Sequence, residues 1–214
     1  MVIAAPEPKA EIRQSVGEQR VVMHGLSWQG YLQLLNLLPE QRGTRLTYDD
    51  GLLEITMPLE DHEFSGRLIE RFILTLVELY GLRIKTMGST TINYPHLRKG
   101  AEPDNAYYIQ NQALVKGRNV DFSVDPPPDL VVEVDITHTD IQKNRFYASL
   151  GVPEFWRFNG KTWRIYQLQS GVYVECDRSP TFTNIEKTQL YRRFLSAAKE
   201  DEIAAVIALR RALS

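Results

Sequence analysis

The segment Pro128–Asp135, with the sequence PDLVVEVD, is the clearest indication of how this chain folds. Its core is an apolar run of the kind found in β-strands that are covered on both faces. The three prolines at 126–128 cannot continue a helix, so the chain enters this strand in an extended conformation. Glu133 and Asp135 therefore stand in or beside a buried strand. Buried carboxylates are rare unless a cation compensates them, and a divalent metal ion is the simplest explanation.

A second proline-led acidic segment, Glu102–Asp104, introduces another predicted core strand. Asp129 and Glu133 share one face of their strand but stand about 13 Å apart, at about 3.3 Å per residue, so they cannot hold one ion. Mg²⁺ takes oxygen ligands at about 2.1 Å, which requires a carboxylate from a second strand. Asp104 is the natural partner for Glu133, and the backbone oxygen of Val134 offers a third ligand. The sequence thus predicts a metal site between two strands.

Lys143 follows in the first turn of a helix predicted over residues 141–150. A hydrolase that acts on phosphodiesters needs a cation near the attacking water or the phosphate, to stabilise the negative charge that develops. If the helix folds back over the sheet, it brings the Lys143 ammonium close to Glu133. Asp135 points to the same face one step further along and is a secondary candidate for the site.

Three motifs of this chain resemble a known family. The pattern Asp…Glu-x-Lys across two strands is similar to that of the PD-(D/E)XK restriction-endonuclease-like superfamily. The longer motifs resemble the Uma-two family of restriction endonucleases within it; they are Gly100–Asn111, Pro127–Thr137, and Lys143 with Tyr147 and Gly151–Arg157. The resemblance covers about Leu46–Leu168. It implies an α/β domain with a central four- or five-stranded mixed sheet flanked by helices, and hydrolysis of DNA with Mg²⁺ or Mn²⁺ as cofactor.

The resemblance also has consequences for single residues. Asp135 occupies the position where the superfamily pattern has its lysine, so catalysis requires Lys143 to substitute from the helix. The segment Glu60–Glu63 is similar to a histidine-bearing segment that in such proteins lies near the acidic cluster. This adds His62 to the candidate catalytic residues, which are then Asp104, Glu133, Lys143, Asp135 and His62.

Each candidate also has a structural interpretation. Asp104 follows a proline, as turn-forming residues often do, and Asp129 has the sequence context of a turn or backbone-capping residue. Lys143 could be a solvated helix residue, and His62 a polar residue at a helix N-terminus. Glu133 is the hardest to explain structurally, because it lies within a strand among valines.

Length and composition favour one soluble globular domain. The chain has 214 residues, of which 43% are hydrophobic, enough for one compact domain over 21–214 after a loosely ordered segment 1–20. A single cysteine, Cys176, gives no disulfide, and no apolar window approaches the roughly 20 residues of a membrane span, so we expect a cytoplasmic protein without membrane contact. The net charge of −2 indicates that any nucleic-acid contact is local or metal-assisted.

Capping and turn signals predict the remaining elements. Asp-Gly and Asn-Gly pairs are typical of tight hairpin turns, and Ser, Gly and Pro mark helix ends. The predicted elements are a helix over 28–38 capped by Ser27, a hairpin over 44–57, a helix over 61–80 ended by Gly81, a strand over 82–87, a meander over 154–176 and an amphipathic helix over 195–213.

Two functions remain open from the sequence. The first is a magnesium-dependent DNA endonuclease that cuts both strands as a homodimer. The dimer interface would be either the edge of the meander or the C-terminal helix. The second is an inactive protein with a nuclease fold that binds DNA or a protein partner. The replacement at Asp135 and the mild net charge favour the second function.

Overall fold

The computed structural model describes residues 9–14, 18–39, 41–136, 139–187 and 192–213. These residues form two six-stranded sheets and six α-helices. The strands are β1 Lys9–Gln14, β2 Glu18–His24, β3 Arg45–Asp49, β4 Leu52–Pro58, β5 Lys85–Thr86, β6 Ile92–Tyr94, β7 Lys99–Ala101, β8 Asn105–Tyr108, β9 Leu130–Val134, β10 Glu154–Phe158, β11 Trp163–Gln169 and β12 Val172–Cys176. The helices are α1 Trp28–Leu37, α2 Glu60–Leu79, α3 Gln112–Val115, α4 Lys143–Ser149, α5 Arg192–Glu200 and α6 Glu202–Leu213.

The first sheet is antiparallel throughout, in the order β1-β2-β4-β3-β7-β6. The predicted hairpin forms its centre as β3 and β4, and the turn residues Asp50 and Gly51 both have positive φ, as a tight hairpin turn requires. Helix α1 covers one face, and Ser27 caps it as predicted by accepting a hydrogen bond from the Gly30 amide. The apolar residues under α1 include Leu46 and Tyr48, which alternate with polar residues that face the other way.

The second sheet is mixed, in the order β12-β11-β10-β9-β8-β5, and confirms the expected α/β class. Among the described strands, only β9 and β10 run parallel, and α4 lies in the connection between them. The sheet has six strands rather than the expected four or five, because the meander adds β11 and β12 on one side and β5 adds an edge on the other.

Helix α2 packs on one face of the second sheet and confirms the predicted helix over 61–80. Its buried side chains, including Leu68, Phe72 and Leu76, share a hydrophobic cluster with Leu130 and Val132 of β9. Because strand side chains alternate, the residues between them point to the opposite face of β9, towards α4. Burial of this kind is the main stabilising term of the fold, and truncation of such an aromatic core residue costs about 3–5 kcal/mol.

The structure differs from the sequence expectations at both ends of the chain. Residues 9–14 and 18–24 form strands, although we expected a loosely ordered segment over 1–20. The C-terminal helix expected over 195–213 is two helices, because the Asp201 carboxylate accepts hydrogen bonds from the amides of Ile203 and Ala204 and so starts a new helix. In the described part of the chain, no helix is both long and apolar enough to cross a bilayer.

The strand predicted over 82–87 is reduced to the two residues of β5. The amide of Leu82 donates a hydrogen bond to the Val77 carbonyl, and Gly81 has a positive φ of 62°. These features form the C-terminal cap of α2 and remove Leu82 from the strand.

Candidate active site

Strand register sets the two principal carboxylates opposite each other. In the antiparallel pair of β8 and β9, Asn105 lies opposite Val132. One step further along this register, Asp104 faces Glu133, on the side of the sheet that α4 covers. The carboxylate of Asp104 also accepts a hydrogen bond from the Val134 amide at 2.6 Å. Both carboxylates are buried, as the sequence predicts.

Glu133 binds the first turns of α4. Its Oε1 atom lies 3.1 Å from Nζ of Lys143 and accepts a hydrogen bond from the hydroxyl of Tyr147. Lys143 also donates to Oγ1 of Thr47 in β3 at 3.0 Å. Helix α4 therefore returns over the sheet, and the buried ammonium lies beside the Glu133 carboxylate rather than in solvent.

Asp104 is held by residues from two other elements. Its Oδ1 atom lies 2.9 Å from Nη1 of Arg45, and its Oδ2 atom lies 3.4 Å from Nε2 of His62. His62 is buried near the start of α2, and its Nδ1 has no hydrogen-bond partner among the described residues. Asp104, Glu133 and Asp135 form an acidic cluster, and the structure brings His62 next to it.

Asp135 is buried next to these residues, but its direct partner is a different cation. Its Oδ2 atom lies 2.9 Å from Nε and Nη2 of Arg157 in β10. Arg157 in turn donates to Asn144 of α4. Asp135 therefore contributes negative charge to the site while its carboxylate is engaged by Arg157.

Other acidic residues have structural roles. Asp129 accepts hydrogen bonds from the backbone amides of Ile109 and Asn111, which agrees with its interpretation as a backbone-capping residue. Glu102 accepts from the Leu46 amide and forms an ion pair with Arg42.

The first sheet contributes a set of site residues that sequence reasoning missed. Glu18 and Arg20 of β2 form a buried ion pair, and Arg20 also reaches Oε1 of Glu54 in β4 at 2.7 Å. With Arg45 and Thr47 they line one cavity together with Glu133. Alternation in the predicted hairpin was the available signal, because polar residues there occupy every second position opposite the face under α1. The hairpin thus has a second buried face, which the sequence analysis does not predict.

Burial and mutual repulsion determine how the carboxylates titrate. Burial raises the pKa of Asp104 to about 6, against the opposing effect of Arg45. Burial also raises the pKa of Glu133 to about 7, and Asp104 and Asp135 raise it while Lys143 lowers it. Burial alone would lower the pKa of Lys143, but its acidic neighbours raise it. Glu133 is therefore the member of this ion pair that takes up a proton as the pH falls.

The neighbouring histidine behaves differently. Burial and the charge of Arg45 lower the pKa of His62. His62 is consequently neutral at pH 7, and it can donate only one of its two ring nitrogens to a hydrogen bond.

A second, outer cavity of about 160 Å³ adjoins the buried one. Arg45, His62 and Asp104 line both cavities, and the outer one is completed by polar residues of α2 and of the loop after β5. This cleft lies next to the acidic residues on the outer side of the buried cavity.

The donor chemistry of the cluster fits a hard divalent cation. Asp104 and Glu133 offer carboxylate oxygens, and the charge of Asp104 raises the pKa of Glu133, a repulsion that a cation between them would relieve. Within the residues that the structure describes, no group of three or more His, Cys, Asp or Glu side chains is arranged to hold a metal. Mg²⁺ does not need one, because one or two carboxylates with water and substrate oxygens suffice.

Comparison with known proteins assigns the chain to a family. A sequence model of the Uma2 family, described as "Putative restriction endonuclease", matches residues 28–195. This range includes Asp104, Glu133, Asp135 and Lys143. A comparison with curated proteins finds no match. Because the matched range covers well over half of the sequence, the chain belongs to the Uma2 family.

Proposed function

We propose that this protein is a divalent-metal-dependent DNA endonuclease that hydrolyses phosphodiester bonds. The family supports a nuclease, and the observation that carries the finer proposal is the pairing of Asp104 and Glu133 across β8 and β9 with the Lys143 ammonium 3.1 Å from Glu133. This arrangement combines two hard oxygen donors with one buried positive charge.

Each residue has a proposed role. Asp104, Glu133 and the backbone oxygen of Val134 would hold Mg²⁺ or Mn²⁺, which lowers the pKa of bound water and neutralises phosphate charge. Lys143 uses two of its three donors on described partners, Thr47 and Glu133, and the third is available for the attacking water or a phosphate oxygen.

Two further residues act on the carboxylates. His62 is a positioning residue, since it lies next to Asp104 and is neutral at pH 7. Asp135 is a secondary candidate that adds negative charge, and its contact with Arg157 argues against a direct role in holding the ion.

Thermal unfolding with and without Mn²⁺ tests the metal site. We expect the parent protein to unfold at a higher temperature with Mn²⁺, because a ligand that binds only the folded state stabilises it. Glu133→Gln should lose this shift. Glu154→Gln is the matched control, since Glu154 is also buried but lies at the start of β10 beside Leu130, where it binds Trp156 and Ser179. Equal shifts in the parent and Glu133→Gln would contradict the metal site.

A second candidate function is binding without catalysis. It is favoured by the observation that a cation already pairs with each carboxylate: Arg45 with Asp104, Lys143 with Glu133 and Arg157 with Asp135. In that case DNA or a protein partner would bind, but Mn²⁺ would stabilise neither the parent nor the variants. Plasmid cleavage together with the Mn²⁺ titration separates the two functions.

A further inference from the structure

Arg45 lines both the buried acidic cavity and the outer cleft. Its guanidinium spans two carboxylates: Nη1 lies 2.9 Å from Asp104 on the inside, and Nη2 lies 2.7 Å from Glu63 on the outside. The Arg45 side chain itself keeps 19% of its surface exposed, so it can be reached from the cleft.

The two ion pairs of Arg45 differ in their exposure to water. The Asp104 side chain is 5% exposed, whereas that of Glu63 is 43% exposed. A buried ion pair is costly to break, but water and salt screen an exposed one. Arg45 therefore stays on Asp104, while its outer nitrogen can exchange Glu63 for another anion.

The second cationic residue that lines the cleft is less suited than Arg45 to bind an incoming anion. This residue, Arg67, is 76% exposed and pairs with Glu70 along α2. A guanidinium that is held by a buried carboxylate on one side and by an exposed, exchangeable one on the other is suited to bind a phosphate oxygen, because its planar donors match phosphate geometry.

We propose that Arg45 binds the scissile phosphodiester of a nucleic acid strand in the outer cleft and sets it against the acidic cluster, with Glu63 occupying the phosphate position in the free protein. The proposal rests on the nuclease function proposed above and adds a substrate contact to it. It makes Glu63 a competitor of the substrate.

Calorimetry of the dinucleotide 5′-pTpT in metal-free buffer tests this contact without cleavage. Glu63→Gln keeps the pair of Arg45 and Asp104 and removes the competitor, so we expect binding to tighten by roughly 1.5- to 5-fold, the range for one exposed ion pair. Arg45→Gln should weaken binding on the order of tenfold or more, as for the loss of a charged hydrogen bond. Arg71→Gln is the matched control, since Arg71 lies on α2 in an exposed ion pair with Glu202 and outside the cleft.

Each outcome bears on the contact independently of catalysis. Tighter binding by Glu63→Gln with unchanged binding by Arg71→Gln supports it, even if Arg45→Gln folds poorly. Unchanged binding by Glu63→Gln, or no binding of 5′-pTpT by the parent, overturns it. Inorganic phosphate that binds as tightly as 5′-pTpT would overturn the assignment to a nucleic acid backbone. Absence of Mn²⁺-dependent plasmid cleavage, with these affinities as expected, would refute the nuclease function and leave the contact in place.

Discussion

Lys143 is a helix residue whose charge is buried, and the proposed reaction depends on that charge. It lies against Glu133 and Thr47, so its removal takes away the positive charge that would face a phosphate. We expect Lys143→Ala to abolish plasmid cleavage while the Mn²⁺-induced thermal shift persists. Removal of one partner of a buried ion pair also costs about 3–5 kcal/mol of stability.

The control for Lys143→Ala is Lys161→Ala, which changes an exposed lysine in the turn between β10 and β11. It should retain both cleavage and stability. Cleavage by Lys143→Ala at the parental rate would show that another group supplies the charge.

The buried carboxylates also predict how stability depends on pH. The pKa of Glu133 is raised from an ordinary 4.5 to about 7, so its protonated form favours the folded state. This stabilisation is complete below about pH 4.5 and is lost as the pH rises through about 7. We expect the free energy of unfolding of the metal-free protein to contain a loss between pH 5 and pH 7.5 that Glu133→Gln lacks.

Urea unfolding at these two pH values measures the effect. Because other groups titrate as well, the comparison is the difference between the parent and Glu133→Gln at each pH. If both lose the same free energy of unfolding between pH 5 and pH 7.5, Glu133 is ionised in the folded state throughout.

The sequence was sufficient for the two carboxylates and for the approach of Lys143 to Glu133, and insufficient for Arg45, which pairs with Asp104. Asp104 and Glu133 follow from prolines that start strands and from alternation along each strand, which are local properties. Arg45 lies 59 residues before Asp104 in the chain, and the contact arises because β3 pairs with β7 and the Glu102 amide donates to the Leu46 carbonyl. Alternation places Arg45 on the face of the hairpin away from α1, but a single sequence does not tell which carboxylate it meets there.

At the scale of elements, the close approach of β7 to β6 and α1 gives a test of the first sheet. A Cβ atom on Gly100 would lie 2.4 Å from Oδ1 of Asn93 and from the hydroxyl of Tyr31. Gly100→Ala must displace these buried groups, and we expect it to destabilise the protein by about 1–3 kcal/mol in urea unfolding.

Gly43→Ala is the control for this substitution. A Cβ atom on Gly43 meets nothing within 4 Å, and we expect a change within about 0.5 kcal/mol. Equal stabilities of the two alanine variants would mean that β7 can move away from α1 at little cost.

Elements defined by local signals were predicted more accurately than those defined by pairing. Helix α2 and the hairpin β3–β4 carry their own caps, stripes and turn residues, and the structure confirms both. The short strand β5 exists only because β8 lies beside it, so its bounds depend on tertiary contacts. The same holds for β1 and β2, whose sequences lack a strong strand pattern.

At the scale of the whole molecule, we propose a homodimer, because one active site per chain cuts two strands only with a second copy. Both candidate interfaces expose apolar residues. These are Val172 and Val174 on the edge strand β12, and Ile203 and Ile207 on helix α6. Light scattering at micromolar concentration should give the mass of two chains.

Paired substitutions locate the interface of this dimer. Val172→Glu with Val174→Glu tests the edge strand, and Ile203→Glu with Ile207→Glu tests the helix; the pair that lies in the interface should give the mass of one chain. A parent protein with the mass of one chain at every concentration would favour a nicking enzyme or an inactive binder.

The contribution of β2 bears on how this chain can be shortened. The family match begins at residue 28, yet Glu18 and Arg20 lie before it and reach into the cavity of the acidic cluster. A recombinant fragment cut at the family boundary would leave Glu54 buried without the guanidinium that lies 2.7 Å from it. We expect such a fragment to be unstable or inactive even if the full chain is not. Expression trials should therefore retain β1 and β2.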